Sequence, residues 1–284
     1  MYTQFEVPRD LQHIVCFFYR MEHDPKDGAL QTLLPSGTEI CGWQYTGKWK
    51  LDFHDKNTEF GQILPDYYLV GQQTVSYKLS AHDGIAGIMG AALWPGTIFD
   101  LTGKAAHYFT NNPVDLHDVF EEKVIKKHML DFGIATTDQQ RLNVLINFFR
   151  QFGIENKNNV FRIAMQHIYN FKGCISVKEL TGKLRINERY LQRQFRQRAG
   201  ISPLTYLQII RFNNVFTQLS LSIEKVQIEP LAMSFKYYDV THFNKAHKKY
   251  FGIAPSRFIL DKLVLLRELI EQEPYLLQMQ KKDH

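Results

Sequence analysis

Two different hydrophobic patterns divide the chain. In residues 1–120, short runs rich in Ile, Val, Tyr and Phe alternate with Gly, Pro, Asp and Ser, which is typical of strands joined by tight turns. From about residue 121 onward, apolar residues recur at intervals of three and four, the repeat of one helix face. The pattern predicts helices almost to the end of the chain, preceded by strands at Gln12–Tyr19, Glu39–Tyr45, Tyr67–Val70 and Ile85–Leu93.

The helical part contains an internal repeat. Gly200-Ile201-Ser202-Pro203 returns 52 residues later as Gly252-Ile253-Ala254-Pro255. The same offset pairs three further positions, which are Leu191 with Phe243, Arg193 with Lys245, and Arg196 with Lys248. Upstream, Leu180 pairs with Leu231 at an offset of 51, so the second copy has one extra residue between its helices. Two copies of a helix-turn-helix unit explain this arrangement.

The first copy predicts a helix over residues 188–197 with one apolar and one polar face. Asn187 is a good N-cap because its side chain can accept a free backbone N–H. Leu191 and Phe195 share the face expected to meet the core. The opposite face, an arc of roughly 100°, carries Arg and Gln, the residue types that can pair with guanine and adenine in the major groove. These candidate DNA-binding residues are Arg189, Gln192, Arg193 and Arg196.

The second copy predicts a helix over residues 240–250 with the same phase. Asp239 stands at the N-cap, and Phe243 and His247 fall on the apolar face. His247 is therefore predicted to be a hydrogen-bonded core histidine rather than a metal ligand. The candidate DNA-binding residues on or beside the polar face are Thr241, His242, Lys245 and Lys248. Matched polar faces in two copies are not expected of a surface that is merely solvated.

The charges are divided between the two halves of the chain, although the formal net charge is only +5. Residues 1–159 carry 14 Lys and Arg against 19 Asp and Glu, whereas residues 160–262 carry 17 against 6. A strongly basic segment joined to an acidic one indicates that only the second half meets a polyanion.

In its second half the chain resembles the AraC/XylS family of bacterial regulators, over about residues 160–260. The resemblance is carried by Leu191-Gln192-Arg193-Gln194-Phe195, by Tyr238-Asp239-Val240-Thr241-His242-Phe243-Asn244-Lys245, and by the closing Gly252-Ile253-Ala254-Pro255-Ser256-Arg257-Phe258. The family usually has Gly where Arg185 and Lys236 stand, Ala at Thr181 and Phe at His247. The missing glycines imply that Arg185 or Lys236 adopts a left-handed turn conformation.

The resemblance implies a sequence-specific transcriptional regulator that binds double-stranded DNA. Arg189, Gln192 and Arg193 would then contact bases in one major-groove segment. Thr241, His242 and Lys245 would do so in the next. In similar proteins the N-terminal β domain, often cupin-like, senses a small molecule or mediates dimerisation. A small-molecule effector, a homodimer and contact with RNA polymerase are therefore expected partners.

Together these observations predict an α+β multidomain protein. Its expected parts are a mostly-β, cupin-like domain over residues 1–120, a helical connector and linker over 121–158, an all-α double helix-turn-helix domain over 159–262, and a helical tail over 263–284. The aromatic residues of the first part are expected to be core, and none is assigned to a ligand.

Two alternatives belong to other functional classes. The basic helices could form a protein–protein interaction module that docks on an acidic partner, which would not need matched phases in the two copies. A cupin-like metalloenzyme would need clustered ligands, but the histidines of the first half form no close pair and no H-x-H or H-E-x-x-H motif. We therefore expect no catalytic residue, no metal and no cofactor, and assign no enzymatic activity.

The sequence favours a soluble, cytoplasmic protein without membrane contact. The N-terminus lacks the basic region and apolar run of a signal peptide, and the stretch Ile85–Phe99 is broken by Pro95 and Gly96. The three cysteines are scattered and odd in number, which indicates a reducing compartment.

Overall fold

The computed structural model has a sheet-rich first part and a helical second part, which confirms the predicted α+β organisation. It describes residues 2–27, 31–53, 61–156, 159–221 and 228–251. The closing motif Gly252–Phe258 and the predicted tail helix over residues 263–284 lie outside these residues.

The strands of the described residues form two antiparallel sheets. The larger has the order β1-β2-β9-β4-β7-β10, and the smaller has the order β3-β8-β5-β6. All eight residues of β9 are buried, because the strand has a neighbour on each side, a core shared with helices on one face and a core shared with the smaller sheet on the other. The strands are β1 (Tyr2–Phe5), β2 (Val15–His23), β3 (Gln31–Leu33), β4 (Glu39–Thr46), β5 (Trp49–Phe53), β6 (Gln62–Ile63), β7 (Tyr67–Val70), β8 (Tyr77–Ala81), β9 (Ala86–Leu93) and β10 (Val114–Asp115).

The strand β2 differs most from its predicted position, since it lies three to four residues further along the chain. Residues 12–14, predicted to begin the strand, form a turn that follows the 3₁₀ helix Arg9–Leu11. The strand continues through two charged residues, Arg20 and Glu22, because they pair with each other and both contact the hydroxyl of Tyr45. A hydrophobic pattern cannot reveal that two charged residues of one strand pair with each other and share a tyrosine hydroxyl on another strand.

Nine helices follow or interrupt the strands in the described part of the chain. The short α1 packs at the end of β9, whereas α2 and α3 lie against the larger sheet. Trp43 of that sheet meets Phe132 and Phe148 edge to face, with ring centres 5.2 and 5.1 Å apart, so the predicted connector shares the core of the sheet. The helices are α1 (Thr97–Thr102), α2 (Glu122–Ile134), α3 (Asp138–Arg150), α4 (Val160–Asn170), α5 (Val177–Leu184), α6 (Glu188–Arg198), α7 (Pro203–Leu221), α8 (Ile228–Ser234) and α9 (Val240–Phe251). Across the described ranges, none of them combines the length and apolarity needed to cross a bilayer.

Two helix-turn-helix units are formed by α5 with α6 and by α8 with α9. Each turn contains a non-glycine residue in the left-handed region, with φ of 52° at Arg185 and 57° at Lys236. This confirms the conformation expected from the missing family glycines. In the first unit, Asn187 caps α6 by accepting the Tyr190 N–H at 2.8 Å.

The loop before β4 joins the sheets to the helical part through α7. The hydroxyl of Tyr206 donates to the carbonyl oxygen of Gly37 at 2.8 Å, and Asn213 Nδ2 donates to the carbonyl oxygen of Pro35 at 2.9 Å. Gly37 has a φ of 82°, and a Cβ there would lie 2.7 Å from Ile210 Cδ1. This loop therefore needs glycine both for its backbone conformation and for its close approach to α7.

A buried carboxylate fixes the start of α1. Glu39 is fully buried, and its two oxygens accept backbone N–H groups from Gly96 at 2.8 Å and Ile98 at 2.7 Å. Burial raises the pKa of Glu39 to about 8, although these hydrogen bonds favour the ionised form. The carboxylate thus ties the beginning of β4 to the helix that carries Asp100.

We expect Glu39 to make the stability of the protein depend on pH. Its pKa is raised above the unfolded value, so the protonated form stabilises the fold below pH 4.5 and this stabilisation is lost as pH rises to 8. The free energy of unfolding should therefore fall by up to about 1.4 kcal/mol per pH unit in that window. Urea unfolding at several pH values should show a shallower fall in Glu39→Gln and an unchanged one in Glu121→Gln. Equal slopes in Glu39→Gln and the unmodified protein would contradict this role.

We also expect glycine at the first turn to stabilise the protein. Arg185→Gly removes the steric cost of a left-handed Cβ, roughly 1–2 kcal/mol, which the greater chain entropy of glycine partly offsets. The free energy of unfolding should rise by about 0.5–1 kcal/mol in urea titrations. The matched control is Gln197→Gly, at an exposed position of α6 that is helical, where about 1 kcal/mol should be lost. A comparable loss in both variants would show that Arg185 is not strained.

Candidate nucleic-acid interface

The first candidate surface is the outer face of α6. Leu191 and Phe195 are fully buried against the core of the helical part. Because one residue advances a helix by about 100°, the polar positions emerge on the opposite side. The structure exposes all four side chains predicted there, Arg189, Gln192, Arg193 and Arg196.

Local contacts hold part of this face in place. Gln192 Nε2 donates to Glu188 Oε1 at 3.0 Å, one helical turn earlier. The guanidinium of Arg193 lies 5.2 Å from the centre of the Tyr190 ring, a cation–π contact that restricts its long side chain. Within the described residues, Arg189 and Arg196 have no hydrogen-bond or ion-pair partner, so their donors face solvent.

The second candidate surface is the outer face of α9. Phe243 is fully buried, and His247 is 2% exposed between the rings of Phe243 and Phe212. The prediction that His247 belongs to the core is confirmed. Asp239 caps the helix, since its Oδ1 accepts the backbone N–H of His242 at 2.6 Å. The four predicted residues of this unit, Thr241, His242, Lys245 and Lys248, are all exposed.

The two surfaces correspond position by position. Arg189, Arg193 and Arg196 of α6 stand 52 residues before Thr241, Lys245 and Lys248 of α9. Their buried counterparts keep the same offset, from Leu191 to Phe243 and from Phe195 to His247. The structure therefore brings each predicted set together on one helix face, in the same phase.

His242 differs from the other candidates because it already contacts its own unit. Its ring lies 5.2 Å from the Tyr237 ring, and its Nδ1 lies 3.5 Å from the backbone nitrogen of Tyr238. These contacts hold His242 near the turn of the second unit, at the edge of the exposed face.

The predicted set omitted three side chains beside the recognition helices. Arg185 and Lys236 are exposed cations at the left-handed position of each turn, and the neighbouring Tyr238 is 88% exposed. The offset of 51 residues between Arg185 and Lys236 was the signal that could have identified them as equivalent.

Comparison with known proteins places this region in a family. Residues 180–260 match the family described as "Helix-turn-helix domain". The Msm operon regulatory protein of Streptococcus mutans is 31% identical over 88 residues, which is 31% of this chain and 31% of that protein. The match thus spans about a third of that relative's length.

Among solved structures, the chain is similar to ToxT from Vibrio cholerae, with 15% identity, 86% of this chain and 96% of that chain covered, and a TM-score of 0.45. The C-terminal domain of AraT, a response regulator from Geobacillus stearothermophilus, is 24% identical over 38% of this chain and 86% of that chain, with a TM-score of 0.32. On the family match, residues 180–260 of this chain form a helix-turn-helix domain.

Proposed function

We propose that the protein is a sequence-specific transcriptional regulator that contacts two adjacent major-groove segments of duplex DNA with α6 and α9. The observation that carries this proposal is the matched pair of exposed polar faces, each backed by buried residues at the same offset. A helix with exposed Arg, Gln, Lys and Thr on one face fits the width of the major groove. The family match and the regulatory relative support the same function.

The first unit supplies most of the base discrimination. Arg189 and Arg193 pair bidentately with guanine, and Gln192 pairs with adenine, once it releases Glu188. The stacking of Arg193 on Tyr190 lowers the entropy lost when its guanidinium is ordered on a base. Arg196, one turn further along, completes this face of α6.

The second unit contributes more to affinity than to discrimination. Lys245 and Lys248 are point charges, which favour phosphate oxygens over a particular base edge. Thr241 offers one hydroxyl, and His242 is held at the edge of the face by Tyr237. The turn cations Arg185 and Lys236 add equivalent phosphate contacts at the two units.

The N-terminal part acts in this proposal as the regulatory half. Control by a small-molecule effector and formation of a homodimer stay predictions from the family resemblance, as does contact with RNA polymerase. The docking-module and metalloenzyme alternatives gain no observation of their own. In the described part of the chain, no three His, Cys, Asp or Glu side chains are grouped as a metal site would require.

In vitro selection from random duplex DNA with the full chain tests the function itself. We expect enrichment of two short sequence blocks whose centres are about one helical turn, roughly 34 Å, apart. Enrichment of a single block would restrict base discrimination to one unit. Binding without enrichment, which disappears as salt concentration rises, would contradict sequence-specific recognition and favour docking on an acidic partner.

Two substitutions separate base contacts from phosphate contacts. Arg193→Ala should weaken binding to the selected site by about 1–3 kcal/mol and relax the preference for one base pair. Lys248→Ala should weaken cognate and mismatched sites alike and reduce the salt slope by about 1. Both are measured by titration of cognate and singly mismatched duplexes at several salt concentrations. An unchanged ratio of cognate to mismatched affinity in Arg193→Ala would disprove its assignment to a base.

A further inference from the structure

A cleft of about 580 Å³ opens between the N-terminal part and the helical part. Its walls come from residues 9–13 before β2, residues 94–97 at the turn into α1, Asn156, and residues 162–170 of α4. Its volume falls in the range of roughly 300–1,000 Å³ that is typical of small-molecule sites, and such sites are common where domains meet.

The floor of the cleft is apolar and aromatic. Met165 and Tyr169 are buried, and the half-buried Trp94 meets Tyr169 edge to face with ring centres 6.1 Å apart. Trp94 is held there because its Nε1 donates to the carbonyl oxygen of Gln12 at 3.0 Å. These rings offer a fixed surface to the apolar body of a ligand.

The rim of the cleft is cationic after its internal ion pair is taken into account. Asp10 accepts two hydrogen bonds from Arg150, at 2.7 and 3.1 Å, and this pairing lowers the pKa of Asp10. The carboxylate of Asp10 is therefore already paired with a cation. Arg9, on the same rim, is exposed and has no ion-pair partner among the residues that the structure describes.

The second rim cation, Arg162, donates from Nη1 to Asn156 Oδ1 at 2.9 Å, but it shares its only described carboxylate partner. Asp100 Oδ1 accepts from Arg198 Nη1 at 2.8 Å, whereas Arg162 Nη2 lies 3.5 Å from Asp100 Oδ2. The Asp100 carboxylate thus pairs with two guanidinium groups, and its contact with Arg198 is the shorter of the two. The side chain of Arg162 is only 19% exposed. Solvent would therefore screen the attraction between its charge and a ligand anion only weakly.

We propose that this cleft binds a small organic anion with an apolar body, held by Arg9 and Arg162 at its carboxylate or phosphate and by Trp94, Met165 and Tyr169 along its length. The planar guanidinium matches either anionic group, and the aromatic floor favours an aromatic or short aliphatic body. A neutral analogue would leave the charge of Arg162 compensated only by the Asp100 carboxylate at 3.5 Å among the described residues, and would gain only the apolar contact.

Occupation of the cleft would change a contact of the first recognition helix. An anion on Arg162 relieves Asp100 of its second partner and leaves Asp100 to Arg198, the last residue of α6. Since α6 carries the proposed base contacts, the ligand and DNA would influence each other's affinity by the same factor. This step rests on the proposed function, whereas binding in the cleft does not.

Titration of the full chain with 3-phenylpropionate, phenyl phosphate and neutral 3-phenylpropanamide tests the site. Trp43 and Trp49 are fully buried, so quenching of tryptophan fluorescence reports on Trp94. At least one anion should quench saturably and bind more tightly than the amide, and the better anion identifies the charged group preferred. Equal binding of the amide, or no saturable binding of either anion, would overturn the proposal.

Calorimetry on three variants locates the binding. Arg9→Gln should weaken the anion about tenfold through loss of a charge-assisted contact. Gln166→Phe, which fills the cleft from an exposed lining position, should abolish binding. Lys127→Gln removes the same charge from an exposed position of α2 and should change nothing. Undiminished binding in both Arg9→Gln and Gln166→Phe would place the ligand elsewhere.

DNA titration in the presence of the bound anion then separates the two proposals. A changed affinity for the selected duplex supports the coupling through Asp100, and an unchanged affinity overturns the coupling alone. If the protein selects no DNA sequence, the proposed function fails while the fluorescence and calorimetric results still decide whether the cleft is a site.

Discussion

The burial of α7 on almost all of its sides is the constraint on which the arrangement of the protein depends. A helix with apolar residues on all sides is stable only when it is buried, because in water it would expose apolar surface on every side. Tyr206 meets Phe195 of the first recognition helix, and Phe212 stacks near Phe243 of the second. The polar Asn213 is accommodated only because carbonyl groups of the loop before β4 accept its N–H groups. One helix thereby supports both units and the N-terminal part.

The same burial determines where the charges of the recognition helices emerge. Each fully buried Leu or Phe side chain contributes about 1.5–3 kcal/mol, which far exceeds the value of an exposed charge. Leu191 and Phe195 therefore set the rotation of α6, and Phe243 with His247 sets that of α9. The cationic faces are consequences of this rotation. Exposed positions such as Arg193 can therefore change without altering the packing that presents them.

Features that depend on residues close in sequence could be predicted, whereas contacts between residues distant in sequence could not. Helix periodicity and caps are local, so α6 and α9 could be bounded to within one residue, and the left-handed turn at Arg185 followed from a comparison with glycine-containing turns. The contact of Glu39 with the start of α1 crosses 57 residues, and that of Asp100 with Arg198 crosses 98. Neither leaves a periodic trace, so the cap of α1 and the contacts between the halves could be found only from the structure.

The contacts of the N-terminal part fall unequally on the two units. Gly200, in the turn after α6, has a φ of 77°, and a Cβ there would lie 2.7 Å from the carbonyl oxygen of Ala106. This contact and the Asp100–Arg198 ion pair hold the C-terminal end of α6 against the N-terminal part. The described contacts of α9 run instead to α7 and α8. A displacement in the N-terminal part would therefore act on α6 directly and reach α9 through α7.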